Sequence, residues 1–194
     1  KVVLCWVGPP IGAAVISIVL YYAVGKLLNA LHPTIFQYDR WLRIALILAG
    51  SYGAYALGAN NVANVTGAFV GPGMLTPMEA CVWGSCAIAV GVMTYSRNVM
   101  MTVGKGLVRL DAYTAFIAIL GEAITVHIYA MLGVPVSTSQ AIIGSILGIG
   151  LLKGVRTINQ RTLIKIVFGW LGTPAIAAGI AYLLYILMNT FWTV

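Results

Sequence analysis

Charge is what this chain has least of. Of its 194 residues only 8% are Asp, Glu, Lys or Arg, where ordinary soluble domains carry about a quarter. So few charges cannot cover the surface of a soluble domain. With 61% hydrophobic residues and a mean hydropathy of +0.98, the chain reads as a polytopic α-helical membrane protein. Acids are scarcest, 4 against 11 Lys and Arg, for a net charge of +7. In a soluble protein that surplus would suggest nucleic acid. Here the basic residues sit at the ends of apolar runs, where they snorkel to the interface and set orientation, so no nucleic-acid partner is expected. Paired cysteines are lacking too. Cys5, Cys81 and Cys86 lie in apolar runs without metal-ligand spacing, so they read as small buried hydrophobes and do not report on redox compartment. No Walker-type glycine loop, nucleophile elbow or metal-ligand cluster occurs, so neither an ATPase nor a hydrolase is supported. No enzyme activity and no cofactor are expected.

Against this oily background stand two polar stretches, GANNVANVTG from Gly58 to Gly67 and GVPVSTSQA from Gly133 to Ala141. Each holds several uncharged oxygen- or amide-bearing side chains beside glycine or proline, at a depth where hydrocarbon is expected. Non-helical backbone inside a bilayer is tolerated only where protein or a water-filled cavity covers it. A pair of such breaks marks a transport site built from interrupted helices.

The chain also repeats itself. When the segment from Lys1 is laid over the segment from Lys165, Trp6 falls on Trp170, Gly8 on Gly172 and Pro10 on Pro174. Ala13, Ala14, Leu20 and Tyr21 fall on Ala177, Ala178, Leu184 and Tyr185. This Trp-x-Gly-x-Pro recurrence predicts the last helix of one half followed by nearly all of a second. Residues 1–31 are then the closing helix of the first repeat, 32–40 a cytoplasmic linker and 41–194 the second repeat. The opening apolar run is too long for the core of a signal peptide, and the chain reads as cut from something larger.

Helices are expected over 2–31, 41–57, 77–95, 112–132, 139–152 and 163–191. Thr76-Pro77-Met78-Glu79 has the signature of a capping box, and Asp111 suits an N-cap. The basic stretch 153–165 is predicted to be a cytoplasmic loop, which turns the last helix outward. An inverted arrangement of halves would place Lys26, Arg40 and Arg43 on the cytoplasmic side as well.

The chemistry concentrates in the two polar stretches. Pro135 cannot continue a helix, and Ser137, Thr138 and Ser139 fall where a new one begins. Free N–H groups and a positive dipole at a helix start, with hydroxyls beside them, make an oxyanion site without a charged side chain. Gly144 would let a neighbouring helix approach closely. In the first stretch Asn60, Asn61, Asn64 and Thr66 offer oxygens for a hard monovalent cation, or hydrogen bonds for an oxyanion. Asn60 and Asn64 share a face if that stretch is helical. Glu122 is an acid deep inside a span. It could accept a proton, neutralise a cation or pair with a basic residue such as Arg97. His127, about 140° further round the helix, reads as a packed histidine off Glu122's face. Trp6, Trp170 and Trp192 read as interface belts.

Taken together, GANNVAN at Gly58–Asn64 and PVSTSQA at Pro135–Ala141 resemble the twin signatures of the inorganic phosphate transporter (PiT) family. The Glu122 helix and the Trp170–Pro174 helix also look like the family pattern. The resemblance implies an all-α inverted-repeat secondary transporter with broken or reentrant helices, working as a homodimer of full-length chains in the plasma membrane. It implies symport of inorganic phosphate coupled to sodium or protons. Phosphate would be contacted by Asn60, Ser137, Thr138 and Ser139. The cation would be held by Asn61 and Asn64 with Thr66 or Ser139. Two residues depart from the pattern. Asn61 stands where the signature has Asp, and Gln140 where it has His, which favours a sodium site of neutral oxygens over a proton relay. A sulfate permease of the same architecture is the nearest rival, and a channel or membrane receptor or scaffold the rival from another class.

Overall fold

A computed structural model describes the backbone of residues 2–192; the side chains described exclude 2–5, 95, 98–99, 102–105 and 190–192. The side chains of Cys5, Lys105 and Trp192 lie outside that set. Among the described residues six α-helices follow one another: α1 (Val2–Leu31), α2 (Ile35–Val70), α3 (Pro77–Gly106), α4 (Ala112–Met131), α5 (Thr138–Lys153) and α6 (Gln160–Trp192). A short 3₁₀ turn, Val155–Thr157, precedes α6, and no strand occurs among the described residues. Among the described residues, five helical stretches are long and apolar enough to cross a bilayer: Trp6–Leu31, Ile35–Val70, Pro77–Thr94, Ala112–Met131 and Gln160–Asn189. The protein is therefore an all-α, multi-pass integral membrane protein, and α5 is the shorter apolar helix among its spans.

The chain divides into two units, Lys1–Ile158 and Asn159–Val194. In the first, α1 lies against α5 and α4, while α2 lies against α4 and α3. Small residues make these approaches possible. A Cβ on Gly144 would sit 2.1 Å from the Pro10 carbonyl oxygen, and one on Gly148 would sit 2.7 Å from that of Ala14. Backbone thus meets backbone along the α1–α5 seam, the close contact that small residues allow between membrane helices. Ala13, Ala56, Val126 and Ala141 form a buried cluster drawn from α1, α2, α4 and α5. The second unit is α6, which carries Pro174 within it.

Helices α4 and α5 form a hairpin whose open end is pinned by polar contacts. Lys153 Nζ lies 2.6 Å from Asp111 Oδ2 and donates to Thr114 Oγ1 at 3.2 Å. Asp111 caps α4, accepting from the Thr114 N–H at 2.9 Å. Burial alone would raise the Asp111 carboxyl, but the bonds from Lys153 and Thr114 outweigh it and hold the group below its ordinary value.

Several boundaries differ from the sequence reading. The linker 32–40 shrinks to 32–34, because Thr34 and Gln37 form a capping box that starts α2 at Ile35. An Asp39–Arg43 pair at 2.7 Å then supports its first turns. The stretch Gly58–Gly67 is not a break: α2 runs straight through it. Its glycines each cost about 1 kcal/mol relative to Ala in a helix, and packing on α3 and α4 overrides that. Helix α3 continues past residue 95 to Gly106. The basic loop contracts to 154–159, because Asn159 Oδ1 accepts from the Thr162 N–H and α6 begins at Gln160. Cys81 and Cys86 are exposed on the chain rather than buried.

Candidate anion and cation site

The site is built where α4 ends. Gly133 takes a φ of 66°, a left-handed turn that suits glycine. The Val134 N–H closes the turn by donating to the Tyr129 carbonyl at 3.0 Å. Pro135 has no N–H to offer. Ser137 then caps α5: its Oγ accepts from the Gln140 N–H at 3.3 Å and lies 2.9 Å from Ser139 Oγ. Thr138 and Ser139 are the first residues of α5, so their N–H groups have no partner within the helix and the positive end of its dipole lies there. Ser137 and Thr138 are half-buried and Ser139 is exposed. This is a helix mouth lined by three hydroxyls, able to receive an anion.

The first signature motif reaches this mouth through one side chain. Asn60 is 4% exposed. Its Oδ1 accepts from the Val136 N–H at 3.2 Å, and its Nδ2 donates to the Val136 carbonyl at 2.7 Å. The same Nδ2 donates to Asn61 Oδ1 at 2.8 Å. Asn61 is half-buried beside it, and Asn64, one helical turn on, is exposed. Thr66 does not join them. Its hydroxyl donates to the Val62 carbonyl at 2.7 Å, and its methyl faces Gly84 of α3. Six residues separate it from Asn60, about 240° of rotation at 100° per residue, which turns it away from the break.

Glu122 is 8% exposed and belongs to a different part of the α2–α4 seam. Its carboxylate faces Gly53, whose missing side chain leaves it room. The ion pairs among the described residues are Asp39–Arg43 and Asp111–Lys153, so Arg97 is not its partner. Glu122 stands nine residues before the end of α4, about 13 Å of helix rise, and so lies well away from the hydroxyls. His127 accompanies it on the α2 side, contrary to the helical-wheel expectation, because α2 spans the arc between the two. Tyr52 Oη is 2.6 Å from His127 Nδ1, and Tyr55 meets the ring edge-on. Sequence reasoning missed Tyr52, Gly53 and the Val136 peptide. No local signal names a partner 75 or 76 positions away.

A multi-pass helical protein with a broken hairpin and a hydroxyl-lined helix mouth has the architecture of a membrane transporter. Comparison with known proteins gives the family. The sequence profile of the phosphate transporter family matches residues 1–181, and the chain belongs to that family. The chain is 33% identical over 184 residues to a Methanocaldococcus jannaschii protein, covering 95% of this chain and 59% of the relative. A Thermococcus kodakarensis relative is 34% identical over 193 residues, covering 93% and 47%. Both carry the name "Putative phosphate permease". The fold is shared with a solved structure described as "The sodium-dependent phosphate transporter", at a TM-score of 0.77 and 22% identity, covering 97% of this chain and 66% of that one. The chain thus spans about half the length of these two relatives and two thirds of that structure. The family is one of transporters, not enzymes, in line with the sequence reading.

Proposed function

We propose that this chain is one half of a cation-coupled symporter that carries inorganic phosphate across the membrane by alternating access. The observation that carries the reading is the helix mouth itself. Asn60 ties it to α2, ten residues before that helix ends at Val70. Unpaired N–H groups and hydroxyls among apolar spans suit an anion that is bound and released rather than permanent lipid contact. Ser137, Thr138 and Ser139 form the phosphate-binding set, with Asn60 behind them.

Asn61 and Asn64, with Ser139, supply neutral oxygens for sodium. The orientation of Thr66 argues against including it. The cation lowers the cost of bringing a multiply charged anion into low dielectric. Glu122 acts at a distance from the mouth, in coupling. The remainder of the parent protein, related by an inverted repeat, supplies the facing wall, and the parent works as a homodimer in the plasma membrane. The names borne by the relatives support phosphate as cargo, and the sodium dependence in the name of the structural neighbour supports sodium as the coupling ion.

The test uses the full-length parent in proteoliposomes. Ser137→Ala with Thr138→Ala should abolish saturable phosphate uptake driven by a sodium gradient. Unchanged phosphate affinity would place the anion elsewhere. Competition by excess sulfate would convert the reading to a sulfate permease, and uptake indifferent to both sodium and proton gradients would convert it to a channel.

A further inference from the structure

We infer that Asn60 is a positioning residue that aims the anion mouth by clasping the Val136 peptide, and does not itself touch the anion. This rests on the reading that Ser137–Ser139 receive phosphate, and concerns how that set is held in place.

The geometry assigns every polar atom of the Asn60 carboxamide. The oxygen takes the Val136 N–H, and the nitrogen gives one hydrogen to the Val136 carbonyl and the other to Asn61 Oδ1. The orientation of the amide is forced, because the peptide presents one donor and one acceptor and only the matching ends satisfy both. With both hydrogens engaged, Asn60 has no donor left for an oxyanion. Contact with phosphate would require it to release a buried peptide carbonyl.

The peptide needs this partner. Val136 is 6% exposed and lies in the non-helical connection between α4 and α5, so neither helix can satisfy it. The neighbouring Val134 N–H is taken by Tyr129 and Pro135 has none. Without Asn60, Val136 would carry an orphaned donor and acceptor in a region from which water is largely excluded. The next residue along the chain is the N-cap, Ser137. Fixing Val136 therefore fixes where the Ser137 hydroxyl and the first N–H groups of α5 point. Other side chains fail for stated reasons. Asp presents two acceptors to a peptide that needs one donor, Ser is too short to bridge both groups, and Gln is one methylene too long. The clasp also gives a physical reason for the two polar motifs to occur in the same half: the first holds the second in shape.

Hydrogen exchange on the full-length parent, without phosphate, tests the clasp apart from any ligand. In Asn60→Ala the Val136 amide should exchange at least about tenfold faster than in wild type, the loss of roughly one hydrogen bond of protection. Peptides from the interiors of α2 and α4 should be unchanged. In transport, the phosphate KM should rise while the maximal rate per folded transporter is retained, a split that simple destabilisation would not produce. Unchanged Val136 exchange together with lost phosphate binding would overturn the proposal and make Asn60 a direct ligand. If Asn60→Ala does not fold, Asn60→Asp serves: it keeps the acceptor but leaves the Val136 carbonyl without its donor, so the Val136 amide should stay slow while the phosphate KM rises, and an unchanged KM would overturn the clasp. If neither folds, the wild type decides: slow Val136 exchange without anion supports the clasp, and fast exchange overturns it. Failure of the phosphate reading would look different, because inorganic phosphate would then leave wild-type exchange at residues 137–139 untouched.

Discussion

Gly144→Ala tests the seam on which the proposed anion mouth is mounted. The added Cβ would lie 2.1 Å from the Pro10 carbonyl oxygen, 2.5 Å from its Cα and 2.6 Å from its carbonyl carbon. These are backbone atoms of a helix and cannot rotate aside as a side chain would. Relief requires α1 and α5 to separate by roughly 1 Å or more, to reach ordinary contact at about 3.5 Å. Overpacking of this kind costs about 1–3 kcal/mol, and a clash against rigid backbone belongs at the upper end. About 3 kcal/mol corresponds to a hundredfold or more in the folding equilibrium. The control is Gly58→Ala, where nothing lies within 4 Å of the new Cβ. Replacing that helical glycine should be neutral or stabilise by about 0.5–1 kcal/mol. Thermal melting of the purified protein in detergent should place Gly144→Ala well below wild type and Gly58→Ala at or above it. Phosphate affinity should fall in Gly144→Ala as well, because Ser137 lies seven residues along the same helix, about 10 Å away. Equal melting temperatures for the two variants would show that α1 does not meet α5 through this glycine, and the account of the seam would fail.

Three further outcomes follow from other contacts. Asn61 uses only its oxygen, as an acceptor from Asn60. Asn61→Asp should therefore keep the fold, add a negative charge beside the proposed sodium site and raise apparent sodium affinity by about fivefold; an unchanged sodium dependence of uptake would remove Asn61 from that site. Lys153→Met should flatten the acid limb of stability. The Asp111 carboxyl is held below its ordinary value of 3.8, so its contribution is present above that pH and is lost as pH falls through the lowered value; melting temperatures measured from pH 2 to 6 should fall steeply in wild type and shallowly in the variant. Glu122→Gln keeps shape and removes charge. The ratio of cation to phosphate transported should change; a lower melting temperature with that ratio intact would make Glu122 structural.

Local chemistry was legible wherever a motif satisfies itself within one turn. The capping box at Thr76 and the N-cap at Asp111 read correctly because each partner sits three residues on. The break after α4 was readable from Gly133 and Pro135, which offer the backbone no helical continuation. The opposite reading of Gly58–Gly67 failed for an instructive reason. Glycine and asparagine weaken a helix by an amount that packing on two neighbours can exceed, and propensity carries no record of those neighbours. The exposed cysteines were misread in a related way, since apolar flanks in a membrane chain do not distinguish a protein interior from an outward face.

The sequence by itself determined that this protein lives in a bilayer, roughly where its spans fall and which short stretch opens into a new helix start, because hydropathy, proline and capping act within a few residues. Only the tertiary structure decided what Asn60 does and which way Thr66 turns. It also decided how closely α1 and α5 approach. Those outcomes depend on atoms that are distant along the chain and become neighbours only after the helices have packed.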